Sequence, residues 1–69
     1  MHKTQKEILD IVAKYASENP SQRFGQILFN LDVNQFNKEK EYVIRDIYND
    51  SDEEILKRIK ERLKKINSQ

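Results

Sequence analysis

The chain has no cysteine, one histidine, one glycine and one proline in 69 residues, and each scarcity removes a class of protein. Without cysteine there is no disulfide framework to staple a small fold and no thiolate to hold zinc. The lone histidine, His2, stands at the N-terminus, which leaves no histidine-based triad and no thiol nucleophile for a structured site. Apolar residues are scattered, so nothing approaches the ~20 consecutive apolar positions of a membrane span. Met1-His2-Lys3-Thr4-Gln5-Lys6 has no apolar run behind it to make a signal peptide. An excess of one charge is missing too. Thirteen basic residues against 12 acidic ones leave no global field to steer the chain toward nucleic acid or an anionic surface. The expectation is a cytoplasmic protein with no cofactor and no metal, not an enzyme, that acts by contact.

What is present is helical periodicity. The length suits one domain, 1–69, and a chain this short buries only ~60% of its unfolded surface. Its core supplies no more than roughly 3–5 kcal/mol. In residues 3–18, Ile8, Ile11, Val12 and Tyr15 recur at helical spacing, with Leu9 and Ala16 widening the stripe. Thr4 and Glu7 have the spacing of a capping box. Asn19-Pro20 ends this helix, because the residue before proline is pushed out of the α region. Pro20 at a first helical position, capped by Asn19, then opens a second helix over 20–31. Its buried face is Phe24, Ile27, Leu28 and Leu31. The only glycine, Gly25, costs ~1 kcal/mol there, so close approach of another helix is expected at it. Ser51 with Glu54 starts the last helix, 51–66, whose stripe is Ile55, Leu56, Ile59, Leu63 and Ile66. Glu53–Lys57, Glu54–Arg58 and Glu61–Lys65 have the favourable i, i+4 order. Residues 32–45 are polar around Val33 and Phe36 and read as loop, short helix or extended chain. Tyr42-Val43-Ile44 has strand character, but no pairing partner is evident, which favours irregular or helical structure. The fold class expected is all-α, a small three-helix domain with an irregular or short-helical insert before the last helix.

Four constellations bear on function. The cations Lys57, Arg58, Lys60, Arg62, Lys64 and Lys65 on the last helix suit phosphate contact, or else are its solvated face. No aromatic side chain interleaves them to stack bases. Leu56, Ile59, Leu63 and Ile66 form an a/d seam that packs inside the domain or pairs with a second copy. The carboxylates of Asp46, Asp50, Asp52, Glu53 and Glu54 lack the glycine of a calcium loop and read as helix capping. Arg23 and Gln26 serve either to pair with an acid such as Asp46 or Asp50 or to recognise a partner.

Two words stand out: Arg23-Phe24-Gly25-Gln26-Ile27-Leu28-Phe29-Asn30, and Asp46-Ile47-Tyr48 followed by Asp52-Glu53-Glu54. They resemble a group of small bacterial and phage-borne proteins with an arginine, an aromatic residue or leucine, Gly-Gln, apolar residues and asparagine. In that group an Asp-apolar-aromatic word and an acidic helix start follow. Asn49 departs from the pattern, where an aromatic is usual, and the stretch 32–45 is long. The group carries no assigned activity, so the likeness transfers no functional residue. It implies a host-directed role.

The leading expectation is a non-enzymatic protein-interaction module that binds a larger protein partner through Arg23, Gln26, Tyr42 and Tyr48. From the phage-borne resemblance, that partner is a host enzyme or defence protein which it inhibits. The alternative is a small nucleic-acid-binding protein using Lys57, Lys60 and Lys64. A homodimer through the last-helix seam is the third reading.

Overall fold

A computed structural model describes residues 2–68. Three helices follow in order: α1, Lys3–Glu18; α2, Phe24–Asn30; and α3, Asp52–Asn67. The fold is the all-α class that the spacing predicts. Among the described residues no helix is long and apolar enough to cross a membrane.

α1 has the bounds expected, but its cap lies two residues before the one that the Thr4–Glu7 spacing suggests. His2, not Thr4, is the N-cap, and its Nδ1 accepts the Thr4 N–H at 3.2 Å. Thr4 therefore sits inside the helix. At the other end Asn19 is taken up by α1. Its Nδ2 donates to the Tyr15 carbonyl at 2.9 Å and its backbone N–H to Ala16. The Asn19 carbonyl accepts the Gln22 N–H, closing a turn with Pro20 in the second position. An asparagine spent on closing one helix is not free to cap the next, so α2 starts at Phe24 rather than Pro20. Arg23 is its N-cap residue. A guanidinium has no acceptor to offer the orphan amides. The capping comes instead from Gln26, whose Oε1 reaches back to the Arg23 N–H at 3.0 Å.

α2 ends in a Schellman motif. The Val33 N–H bonds the Leu28 carbonyl at 2.9 Å and the Asp32 N–H bonds Phe29 at 3.1 Å. Asp32 holds the left-handed position of that motif, φ 61°, where glycine is the usual residue. At the start of α3 the Ser51 hydroxyl accepts the Glu54 N–H at 3.2 Å. Asp52, Glu53 and Glu54 fill the first turn and Lys64 and Lys65 the last, matching the helix dipole at both ends.

The core is Val12 of α1, Ile27 of α2, Leu31 just past it and Ile59 of α3. Ile8, Ile11, Tyr15, Ala16, Leu28, Val33, Ile55 and Leu63 pack around these four. α1 and α3 lie side by side and run the same way. Gln5 bonds Asp52 near their starts, Glu7 pairs with Lys60 at 2.9 Å, and Tyr15 shares a groove with Leu63 and Ile66 near their ends. Parallel neighbours need a long return, and α2 with the insert supplies it. The seam of α3 is therefore used inside the domain at Ile59 and Leu63.

Two positions depart from the apolar pattern. Leu9 is exposed, and Phe24 is 63% exposed. With α2 starting at residue 24, Phe24 lies in its first turn, at the rim of the core. Gly25 also has a different setting from the one its cost suggests. A Cβ built there meets nothing within 4 Å, so no helix approaches it.

Candidate interaction surface

The segment between α2 and α3 is neither helix nor featureless loop. Phe36 and Ile44 form an antiparallel bridge. The Asn37 N–H donates to the Val43 carbonyl and the Arg45 N–H to the Gln35 carbonyl, both at 2.7 Å. Val43 and Ile44 thus have a pairing partner after all, supplied from within the insert by Gln35–Asn37, while Tyr42 lies in the turn that the Val43 N–H closes on the Lys40 carbonyl. The turn between the two arms is built by Asn37. Its Oδ1 accepts the Glu39 and Lys40 amides at 2.8 and 3.2 Å, the local bonding that asparagine favours in turns. Asp46 repeats the device on the Tyr48 amide at 2.9 Å.

A cluster of charges fixes this hairpin to the helices. Arg45 grips Asp50 with both terminal nitrogens, at 3.1 and 2.6 Å, and also reaches the Gln35 Oε1. Arg58 of α3 approaches the same carboxylate at 2.7 Å. Arg58 further donates to the carbonyls of Asp32 and Val33 at 3.0 and 3.2 Å, while Arg62 donates to Asn30 at 3.0 Å. One arginine therefore ties together the end of α2, the insert and α3. The Asp50 side chain is only 13% exposed. Its hydrogen bond from Arg45, then that from Arg58, hold its pKa down to about 2 against the opposing effect of burial. The Arg45 guanidinium is shifted up, chiefly by the same hydrogen bond.

With the polar groups turned inward, the apolar ones face solvent. Phe36 is 55% exposed, Ile44 58%, Tyr42 84% and Tyr48 88%. Phe36 stacks on Phe29 of α2 with ring centroids 5.0 Å apart. Bridged residues point to one side of a hairpin, so Phe29, Phe36 and Ile44 form one apolar face. Gly25 lies one turn before Phe29 on the same side of α2.

Of the residues the sequence nominates, Tyr42 and Tyr48 lie on the exposed insert. Arg23 and Gln26 lie at the start of α2, and no hydrogen bond or ion pair joins the two groups. Gln26 has the structural duty described above. Arg23 does not pair with Asp46 or Asp50; Arg45 and Arg58 occupy Asp50 instead. On α3, Lys60 is paired with Glu7, while Lys57 and Lys64 are exposed. The expected pairs Glu53–Lys57, Glu54–Arg58 and Glu61–Lys65 do not close. Among the described residues the ion pairs are Lys6–Asp10, Arg45–Asp50, Arg58–Asp50 and Lys60–Glu7. The ends of α1 and α3 also bound an open groove of about 430 Å³ lined by Ile11, Tyr15, Leu63 and Ile66.

The sequence reading missed Phe36, Val43 and Ile44 as surface residues. The available signal was a set of aromatic and β-branched residues embedded in a polar, non-helical stretch. Compared with known protein families, curated proteins and solved structures, the chain matches none.

Proposed function

We propose that this chain is a non-enzymatic protein-interaction module that binds a larger protein through the apolar face of its insert. Phe36, Ile44, Tyr42 and Tyr48 supply the contact, and Arg23 and Gln26 form part of its rim. One observation carries this reading: large apolar side chains stand in solvent on a segment that is fixed by the Arg45–Asp50–Arg58 cluster. Exposed aromatics of this kind are the usual anchors of protein interfaces. A surface ordered before binding avoids the cost of ordering it on contact. The partner class is a host enzyme or defence protein, which is inhibited when the covered surface includes its own working cleft.

The test is capture from a bacterial lysate by the immobilised chain, compared with a Phe36→Asp/Tyr48→Asp variant. The expected result is a protein retained by the first and lost by the second, with helical circular dichroism equal in both. Identical retention by the two defeats the reading. Nucleic acid retained by both and lost with Lys57→Glu/Lys64→Glu would move the function to α3.

A further inference from the structure

We propose that two copies of the free chain cover each other's insert face, Phe36 of each meeting Ile44 of the other about a two-fold axis. This rests on the reading of that face as a contact surface and names its occupant when no larger protein is bound.

Surface area sets the need. A compact protein of 8.3 kDa exposes about 4,600 Å². This chain exposes 5656 Å². The surplus of about 1,100 Å² has the scale of the ~800 Å² that each partner covers in a standard interface. Its apolar part is concentrated. Among the described residues seven large apolar side chains are exposed, and five of them, Phe36, Tyr42, Val43, Ile44 and Tyr48, belong to the insert. The groove at the ends of α1 and α3 has no such anchors, since Ile11, Tyr15, Leu63 and Ile66 are each half-buried.

Charge and symmetry choose the occupant. Lys38-Glu39-Lys40-Glu41, between the two arms of the hairpin, are all exposed. Among the described residues their side chains enter no ion pair or hydrogen bond, because Asn37 holds Glu39 and Lys40 by their backbone amides. A border of one sign would select an oppositely charged partner. Here the two signs cancel, so two copies meet without repulsion and each lysine has a glutamate of the other within choice. The bridge sets Phe36 and Ile44 side by side on one side of the hairpin. A two-fold contact uses the same patch twice, and an axis running between the arms lays each Phe36 ring on the other copy's Ile44. Phe36 is already braced by Phe29, so pairing orders little that is not ordered in the free chain.

Sedimentation of the full chain from micromolar to millimolar concentration tests this. The expected result is a monomer–dimer equilibrium. Ile44→Asp puts two carboxylates into the apolar centre and weakens association roughly tenfold or more. Leu9→Asp makes the same change at an exposed apolar side chain of α1 and leaves association unaltered. Equal helical circular dichroism checks the fold of both. Amide shifts of the unaltered chain on dilution need no variant: those of Phe29, Phe36 and Ile44 move, and those of Ile11 and Leu63 stay. A chain that is monomeric to millimolar concentration overturns the proposal and leaves capture of a larger protein untouched. A dimer that ignores Ile44→Asp overturns it too, as does one weakened equally by Leu9→Asp or one whose dilution shifts lie at Ile11 and Leu63. A dimer that behaves as expected while no protein is captured defeats the earlier reading alone.

Discussion

The helical body and the insert are ordered by opposite means. In the body, Val12, Ile27, Leu31 and Ile59 are buried and the charges lie outside. In the insert, Asp50, Arg45 and Gln35 are turned in while Phe36, Tyr42, Ile44 and Tyr48 face out. The hydrophobic effect holds the first region, and a charge-assisted hydrogen-bond network holds the second. A segment fixed by polar contacts has its apolar side chains left over, and those are the groups that binding needs. The difference teaches where to look for function in so small a chain: in the part whose burial is inverted.

The comparison breaks most severely at the core. Ile59→Ala removes a side chain with no exposed surface, at a cost of about 2–5 kcal/mol. That equals the whole stability expected of a domain this size, so urea titration should show body and insert lost together. Arg58→Met is the next largest. It leaves the Asp32 and Val33 carbonyls without their arginine donor and the Asp50 carboxylate with Arg45 alone, a loss of about 1–3 kcal/mol. Because Arg58 bonds both regions, hydrogen exchange should rise at the end of α2 and through the insert while the α1 amides change least.

Acid separates the two regions more sharply. Asp50 has its pKa lowered from 3.8 to about 2, so folding favours its charged form. The sign is that of any depressed carboxylate: its contribution is complete above the unfolded value and fades as pH falls through the folded one. Between about pH 4 and pH 2 the insert should therefore loosen. Tyrosine fluorescence of Tyr42 and Tyr48 set against helical circular dichroism, repeated on Asp50→Asn, measures it. The variant should lack that part of the acid transition. Equal acid profiles for the two proteins would mean that the carboxylate does not hold the insert.

How far the sequence foretells these regions follows from what orders them. α1 and α3 were legible because a stripe at helical spacing needs only a partner surface to bury it, and the observed bounds lie within a residue of those expected. The start of α2 was not legible, since Asn19 can close one helix or open the next and only the three-dimensional path decides. The hairpin was hidden for a related reason. Its pairing arms are too short to carry an alternating pattern, and what locks them is a contact between Arg45, Asp50 and an arginine on a distant helix. Arg23 drew attention as the cation beside an unusual glycine, yet the acid it was expected to answer had two nearer partners. Of the nominated surface, the tyrosines were visible as large side chains in a polar stretch. Phe36 and Ile44 looked equally suited to a core.

Smaller effects sharpen the comparison inside α2. Asp32 is strained at φ 61°, and its acid group sits at the negative end of the helix. Asp32→Gly should raise stability by about 1 kcal/mol, because the Arg58 contact is to the backbone carbonyl and survives the change. A fall in the urea midpoint would mean that the carboxylate does something the fold does not reveal.

Gly25→Ala gives the smallest shift and the most telling one. The added methyl meets open space, and alanine loses less chain entropy in a helix, so stability should rise by about 0.5–1 kcal/mol. A gain without any cost to binding would leave the glycine unexplained by either fold or contact. If the face formed by Phe29, Phe36 and Ile44 is where a larger protein docks, Gly25 lies beside it and admits the partner's backbone closely. The same substitution should then stabilise the free chain while weakening capture. Thermal melting and retention measured on one preparation read both signs at once. Opposed signs would place the cost of this glycine on the bound state, the one place where the isolated chain gives it no purpose.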